Sequence, residues 1–305
     1  MKEKRNGKCQ LHYNLREELT NLVQTCMDEY PRKRSTAVNY RSTLTSFCHF
    51  LDQNDEPCQL SRRLIVRYEY WLRSRGLLRN STSFYMRNLR SMCHMLKEKG
   101  IQCDIGIFSD VYTGVDKTRK RAMAEQTIRI IKSADLSSEP TLAYWRDLFL
   151  FSFYCRGMSF VDVAYLRENN VRNGYIRYQR RKTGQIIEIR IEQCMQEIIS
   201  RYPGKQGYIF PIITSVNLDR AYYQYRSGIC TFNKMLKILA DRLGIPPFSS
   251  YMSRHTWATI ARDKQIPISI ISESMGHSSE KVTQIYLASF NQQTLDDANK
   301  FVIDI

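Results

Sequence analysis

The sequence predicts a mainly α protein with a small β-sheet, in which an N-terminal helical bundle is joined to a mixed α+β domain. Three observations predict it. Apolar residues recur at helical spacing four times in the first hundred residues, a single pair of short alternating segments flanks a turn near Lys182, and an aperiodic basic stretch separates the two regions.

Leu15, Leu19, Leu22, Val23 and Cys26 share one helical face, and Tyr40, Leu44, Phe47, Cys48 and Leu51 repeat the spacing. Leu64, Ile65, Tyr68, Trp71 and Leu72 form a third stripe, closed by Gly76. Tyr85, Leu89, Met92, Cys93 and Leu96 form a fourth, expected to enter through Asn80-Ser81 and to stop at Gly100. Four short amphipathic helices bury such stripes by packing as a small bundle. Arg41, Arg87 and Arg90 fall on the polar sides, where they suit DNA phosphates and bulk water about equally.

Residues 113–125 lack periodicity and carry Lys117, Arg119, Lys120 and Arg121, which predicts a basic linker between domains 1–112 and 126–305. In the second domain helices are expected at 126–135 and 141–154. Strands are expected at Tyr175–Arg180 and Gln185–Ile191, the latter alternating Ile187, Ile189 and Ile191 with Glu188 and Arg190. Further helices are expected around 193–201, 231–243, 252–264, 268–275 and 280–288, with Gly244 and Pro246-Pro247 stopping the second of them.

The 305 residues carry a formal net charge of +16 and a pI near 9.5, a balance that favours a polyanionic partner. No apolar run approaches the roughly 20 residues of a membrane span, and the basic N-terminus MKEKRNGKCQ lacks the apolar core of a secretory signal. A cytoplasmic protein with no membrane partner is therefore expected. The nine cysteines include no CxxC pair, and no HExxH occurs, so neither a metal site nor a disulfide framework is expected.

Cutting a phosphodiester without a metal requires a nucleophile, cations on the non-bridging oxygens and an acid for the leaving alkoxide. Arginine suits the clamp because its planar fork binds phosphate bidentately and stays charged. The second domain offers Arg156 in YCRGMSFVDVAYL, Lys182 in RRKTGQ, Arg254 in YMSRHTWAT, His277 in ESMGHSSE and Tyr286 in VTQIYLAS. Singly, each has an ordinary reading: a surface cation, a turn lysine, a capping histidine, one of 19 tyrosines.

Taken in order and spacing, the phrases RGMSFVDVAYL, RRKTG, SRHTWATI and SMGHSSEKVTQIYLA resemble the tyrosine recombinase (phage integrase) family, most nearly integrases of Bacteroides-type mobile elements. The resemblance is specific over about 145–290 and looser over the N-terminal bundle. It implies a helical core-binding (SAM-like) DNA-binding domain at 1–112 and a mixed α+β tyrosine-recombinase catalytic domain with a C-terminal tail at 126–305. It also implies that Tyr286 attacks the scissile phosphate, that Arg156 and Arg254 hold its non-bridging oxygens, that Lys182 protonates the departing 5′ oxygen, and that His277 positions the phosphate. Asp162 matches a supporting acidic residue, and Lys117, Lys120, Arg180 and Arg181 are expected to touch the DNA backbone. The family works without metal, ATP or other cofactor, as a homotetramer on paired sites of double-stranded DNA, with accessory DNA-bending proteins in some cases.

Tyr251 departs from the pattern, standing where the family's familiar form has a histidine three residues before the second arginine. A phenol with a pKa of about 10 is a poor base near neutrality, so either His277 or a water takes more of the work of deprotonating Tyr286, or the substitution is neutral, as the Bacteroides-type resemblance implies; Tyr251 also reads as a packed aromatic at a helix start. His255, adjacent to Arg254, is expected to face away from it, by about 100° on a helix. Two other classes compete: a type IB topoisomerase-like relaxing enzyme, and a non-catalytic DNA-binding regulator on the same fold. The tail after Leu287, with Leu295, Phe301, Val302 and Ile303, is suited to docking on its own body or on a neighbouring protomer.

Overall fold

All four predicted stripes are helices. In the computed structural model, which describes residues 15–29, 34–54, 60–101, 103–116, 122–277, 279–286 and 300, they are α1 (Leu15–Glu29), α2 (Arg34–Gln53), α3 (Arg62–Ser74) and α4 (Arg79–Glu98). For Glu29, Arg34, Val282, Ile285 and Tyr286 the backbone alone is described. The chain divides into two compact units, 1–118 and 119–305.

The first unit packs the stripes inward around Leu19, Phe47, Phe50, Ile65, Tyr68, Leu89 and Met92, all nearly fully buried. Phe47 meets Tyr68 edge-on at 5.0 Å and Phe50 meets Trp71 at 5.6 Å, so aromatic area binds α2 to α3. Each such side chain stabilises the bundle by about 1.5–3 kcal/mol relative to exposure. The Ser61 hydroxyl caps α3 by accepting from the Leu64 N–H. Asn80-Ser81 does not open α4: the helix starts at Arg79, after an uncapped Leu78. The Asn80 amide instead donates to the Asp116 carbonyl and accepts from its N–H, at 3.1 and 2.7 Å. Residues 113–116, expected in the linker, are thus held on α4. Lys117 and Lys120 lie outside the described residues.

The second unit is built on α5 (Glu125–Ser133), α6 (Pro140–Tyr154), α7 (Phe160–Ala164), α8 (Gln193–Arg201), α9 (Leu218–Arg242), α10 (Met252–Asp263), α11 (Ile268–Ser274) and α12 (Glu280–Tyr286). Strands β1 (Val171–Arg172), β2 (Tyr175–Gln179) and β3 (Ile186–Arg190) form one antiparallel sheet in that order. Tyr178 pairs with Ile187 and Ile176 with Ile189, which turns the alternating apolar residues into one buried face. Nearly apolar all round, α6 runs through the core, where Phe151 meets Phe210 and Phe149 meets Phe248. The buried Asp147 on α6 accepts from Arg146, Arg201 and Tyr202, which ties α8 to the core. At 25 residues, α9 is far longer than the expected 231–243. Its first half reads polar, with Gly228 where a Cβ would lie 3.1 Å from Ile212 and 3.4 Å from Phe160. Two of these elements were not expected: α7, of five residues, and β1, of two, both too short to show a period. Among the described residues no helix is long and apolar enough to cross a membrane, and the described cysteines are thiols rather than disulfides.

Candidate active site

Arg254 sits in the first turn of α10, only 2% exposed. One terminal nitrogen, Nη1, donates to the Gly157 carbonyl at 2.9 Å. The other, Nη2, donates to the Met275 carbonyl at 2.5 Å and lies 3.0 Å from His277 Nε2. Three segments distant in sequence therefore meet at one guanidinium: the turn after α6, the start of α10 and the turn after α11.

The turn after α6 comes close because Gly157 has no side chain. A Cβ there would fall 2.5 Å from the Arg254 Cα, and the backbone is left-handed at φ 70°. The Ser152 hydroxyl, donating to the Met158 carbonyl at 2.6 Å and 2.7 Å from the Ser253 hydroxyl, holds the same junction from the α6 side. Gly157→Ala is expected to cost roughly 2–4 kcal/mol of unfolding free energy, from steric overlap and left-handed strain together. The check is a lower urea midpoint at unchanged m-value.

His277 is 7% exposed, and its Nδ1 lies 2.8 Å from Thr283 Oγ1 on α12. A guanidinium only donates, so Nε2 accepts from Arg254, and Nδ1 carries the hydrogen and donates to Thr283. Protonation would set N–H against N–H. Burial, then the neighbouring cations Arg254, Arg180 and Lys182, lower the His277 pKa from 6.5 to about 4. Unfolded His277 takes up its proton as pH falls through its ordinary value, whereas folded His277 waits until about 4. Its contribution to stability is therefore complete above the unfolded pKa and declines as pH drops toward the folded one, by roughly 2–3 kcal/mol. Thermal melts at about pH 7 and about pH 4.5 should show His277→Gln losing less stability over that interval than the wild type.

Residues 121–293 match the family model described as the phage integrase family, and 18–102 match that of the phage integrase SAM-like domain. The chain belongs to the phage integrase family. Its fold is that of tyrosine recombinases. A lambda integrase tetramer bound to a Holliday junction superposes with a TM-score of 0.65 at 15% identity, covering 90% of this chain and 77% of that one. The XerH site-specific recombinase bound to difH gives 0.63 at 15%, covering 92% and 84%. The Tn1549 transposon integrase in complex with transposon right end DNA gives 0.63 at 12%, covering 93% and 99%. No curated protein matched the chain.

This integrase brings some of the expected residues together and places others apart. Lys182 is exposed on the β2–β3 turn, which is fixed to the His277 turn by Arg180 Nη1 on the Gly276 carbonyl, at 2.8 Å, and Gln185 Nε2 on the His277 carbonyl, at 3.3 Å. Asp162, buried at 3%, accepts from the Arg181 N–H at 2.9 Å and the Ser159 hydroxyl at 2.6 Å, so it holds α7 to the Lys182 turn. The Arg181 guanidinium stacks 3.9 Å over the Tyr165 ring. Tyr286 ends α12 three residues past Thr283, and its side chain lies outside what is described. Arg156 is half-buried in the turn after α6, left-handed at φ 57°, and no hydrogen bond or ion pair joins its guanidinium to another described residue. Its neighbour Gly157 makes the contact with Arg254 instead.

Tyr251 is 44% exposed at the start of α10, its ring 5.1 Å from that of His255 and edge-on to it. It borders a cleft with Ser159, Asn233 and Arg254. His255 is turned to that ring rather than to the Arg254 centre. In the first unit Arg41 and Arg90 are exposed, with Arg90 3.4 Å from Thr113 Oγ1. Arg87 is half-buried and donates to Ser83 Oγ at 3.0 Å and to the Gly114 carbonyl at 2.7 Å. Sequence reasoning missed Thr283, whose signal was only its place six residues past His277, and Gln185, read as the first residue of a strand.

Proposed function

We propose that this recombinase cuts and rejoins double-stranded DNA at specific sites through a 3′-phosphotyrosyl intermediate on Tyr286. The observation that carries the reading is the buried Arg254–His277 pair, hydrogen-bonded at 3.0 Å and joined through Thr283 to the helix that ends at Tyr286. Those groups supply what in-line displacement at phosphorus requires. Arg254, with a second cation, holds the non-bridging oxygens and stabilises the pentavalent transition state. Neutral at physiological pH, His277 positions the phosphate beside Arg254, and either its Nε2 or a water takes the Tyr286 proton. The phenolate forms the P–O bond as the bond to the 5′ oxygen breaks, and Lys182 delivers a proton to that oxygen. Tyr251 stays a hydrogen-bond donor beside the cleft rather than a base. The reverse attack by a 5′-hydroxyl of another strand returns the tyrosine, so bond energy is conserved without ATP.

Lys117, Lys120, Arg41 and Arg90 are assigned to phosphate contacts, which position DNA without reading its sequence. Affinity should fall steeply with salt. Likeness in fold to a lambda integrase tetramer on a Holliday junction supports four copies acting on two sites.

The test starts by retaining genomic DNA fragments on the full-length protein and nicking them beside candidate cleavage points. A denaturant-resistant protein–DNA band, with the modified residue identified by mass spectrometry as Tyr286, supports the reading. Absence of any band on every retained fragment overturns it in favour of a DNA-binding regulator. Relaxation of a plasmid that lacks those fragments favours a topoisomerase instead.

A further inference from the structure

The second guanidinium of the phosphate clamp has two candidates, and they differ sharply in place. Arg156 stands in the turn after α6, with no hydrogen bond to the Arg254–His277 centre. Arg180, just past β2, is 4% exposed and donates Nη1 to the Gly276 carbonyl at 2.8 Å. Arg254 donates to the carbonyl of Met275, the residue before, and to the ring of His277, the residue after. Two guanidiniums are thus anchored on consecutive carbonyls of one turn, with the histidine next in line.

Among the described residues Arg180 also lacks a counter-charge. No described carboxylate forms an ion pair with it, and its Nε is buried without a hydrogen-bond partner. The buried carboxylate on α7, Asp162, has its oxygens engaged by Arg181 N–H and Ser159. A buried cation held by one carbonyl, beside a second cation, is costly in the free protein. That cost is repaid when a dianionic transition state enters between the two forks, since the unsatisfied Nε–H and the free Nη2 then find acceptors. A guanidinium whose task was structural would be expected to have its donors satisfied within the fold.

We infer that Arg180, rather than Arg156, is the second arginine that binds the scissile phosphate, a catalytic role beyond the general backbone contact expected of it. The inference rests on the proposed phosphotyrosyl reaction. Arg180 and Arg254 each address one non-bridging oxygen, from the β2–β3 side and the α10 side of the His277 turn. Arg156 lies outside that pair.

The experiment uses a nicked fragment on which the wild-type chain forms the covalent adduct; if none exists, the proposed reaction itself fails, before Arg180 is put to the test. Arg180→Met is expected to slow adduct formation by about 100-fold or more while DNA retention persists, as for loss of an oxyanion donor. Arg156→Met is expected to lose less. Because Arg180→Met removes a buried, uncompensated charge, its melting temperature in the absence of DNA should equal or exceed that of the wild type. On substrates with a methyl group in place of one non-bridging oxygen, one diastereomer should narrow the gap between Arg180→Met and wild type, since the charge that Arg180 neutralises is gone. Arg180→Lys, which keeps the charge without the fork, should fall between the two. Cleavage by Arg180→Met within a few-fold of wild type, a larger loss for Arg156→Met, or an equal loss on both diastereomers with a lowered melting temperature would each overturn the assignment.

Discussion

Tyr286→Phe is expected to retain DNA at wild-type salt dependence and to form no covalent adduct on any fragment. The substitution removes one oxygen and keeps the ring, so phosphate contacts elsewhere, which dominate affinity, are untouched. Adduct formation has no partial substitute, because the oxygen is itself the attacking atom. The effect should exceed that of any other single change. Denaturing gels read the adduct, and retention across a salt series reads binding. A residual band would move the nucleophile to another of the 19 tyrosines and would remove α12 from the centre of the mechanism.

Arg254→Ala is expected to lower the rate of adduct formation by about 10²–10³-fold, comparable to removal of an oxyanion donor worth about 2.7–4 kcal/mol. Stability should also suffer. The guanidinium satisfies the Gly157 and Met275 carbonyls and faces His277 Nε2, and each buried acceptor left alone costs roughly 1–3 kcal/mol. Melting curves and single-turnover rates, measured on the same preparation, separate the two effects. Arg254→Lys should restore part of the stability and little of the rate, since an ammonium cannot fork across two oxygens. Near-wild-type cleavage by Arg254→Ala would break the clamp. The contrast with Arg180, whose removal should leave the free protein no less stable, makes the pair a test of which arginine is built into the fold and which waits for substrate.

Legibility in the sequence followed the range of the interactions. The bundle helices were readable because their stripes repeat every three to four residues, a local property. So was the Ile187–Ile189 alternation. The start of α9 was not, because Gly228 reads as a break until Ile212 and Phe160 are seen pressing on it. Asn80-Ser81 read as a cap, yet Asn80 was spent on Asp116, 36 residues away. In the site, order and spacing pointed to Arg254, His277 and Lys182, which the fold places around one turn. Arg87 read as a cation for DNA phosphate or for water, and it is tied to Gly114. Burial of Arg180 was invisible in RRKTG, where three successive cations look alike. Only the pairing of β2 with β3, and its docking on the Gly276 turn, turns the first of them inward.

The anchors of Arg254 and Arg180 are main-chain oxygens of residues 157, 275 and 276. Every amino acid supplies such an oxygen. What must be inherited at these three anchors is therefore the path of the chain, together with the missing side chain at Gly157; His277, on Arg254 Nη2, is the one contact here that asks for a particular ring. Met275 can drift among apolar residues without disturbing the acceptor it presents. Anchors of this kind tolerate wide divergence around them, and a search for co-varying side-chain partners of Arg180 would find little to track.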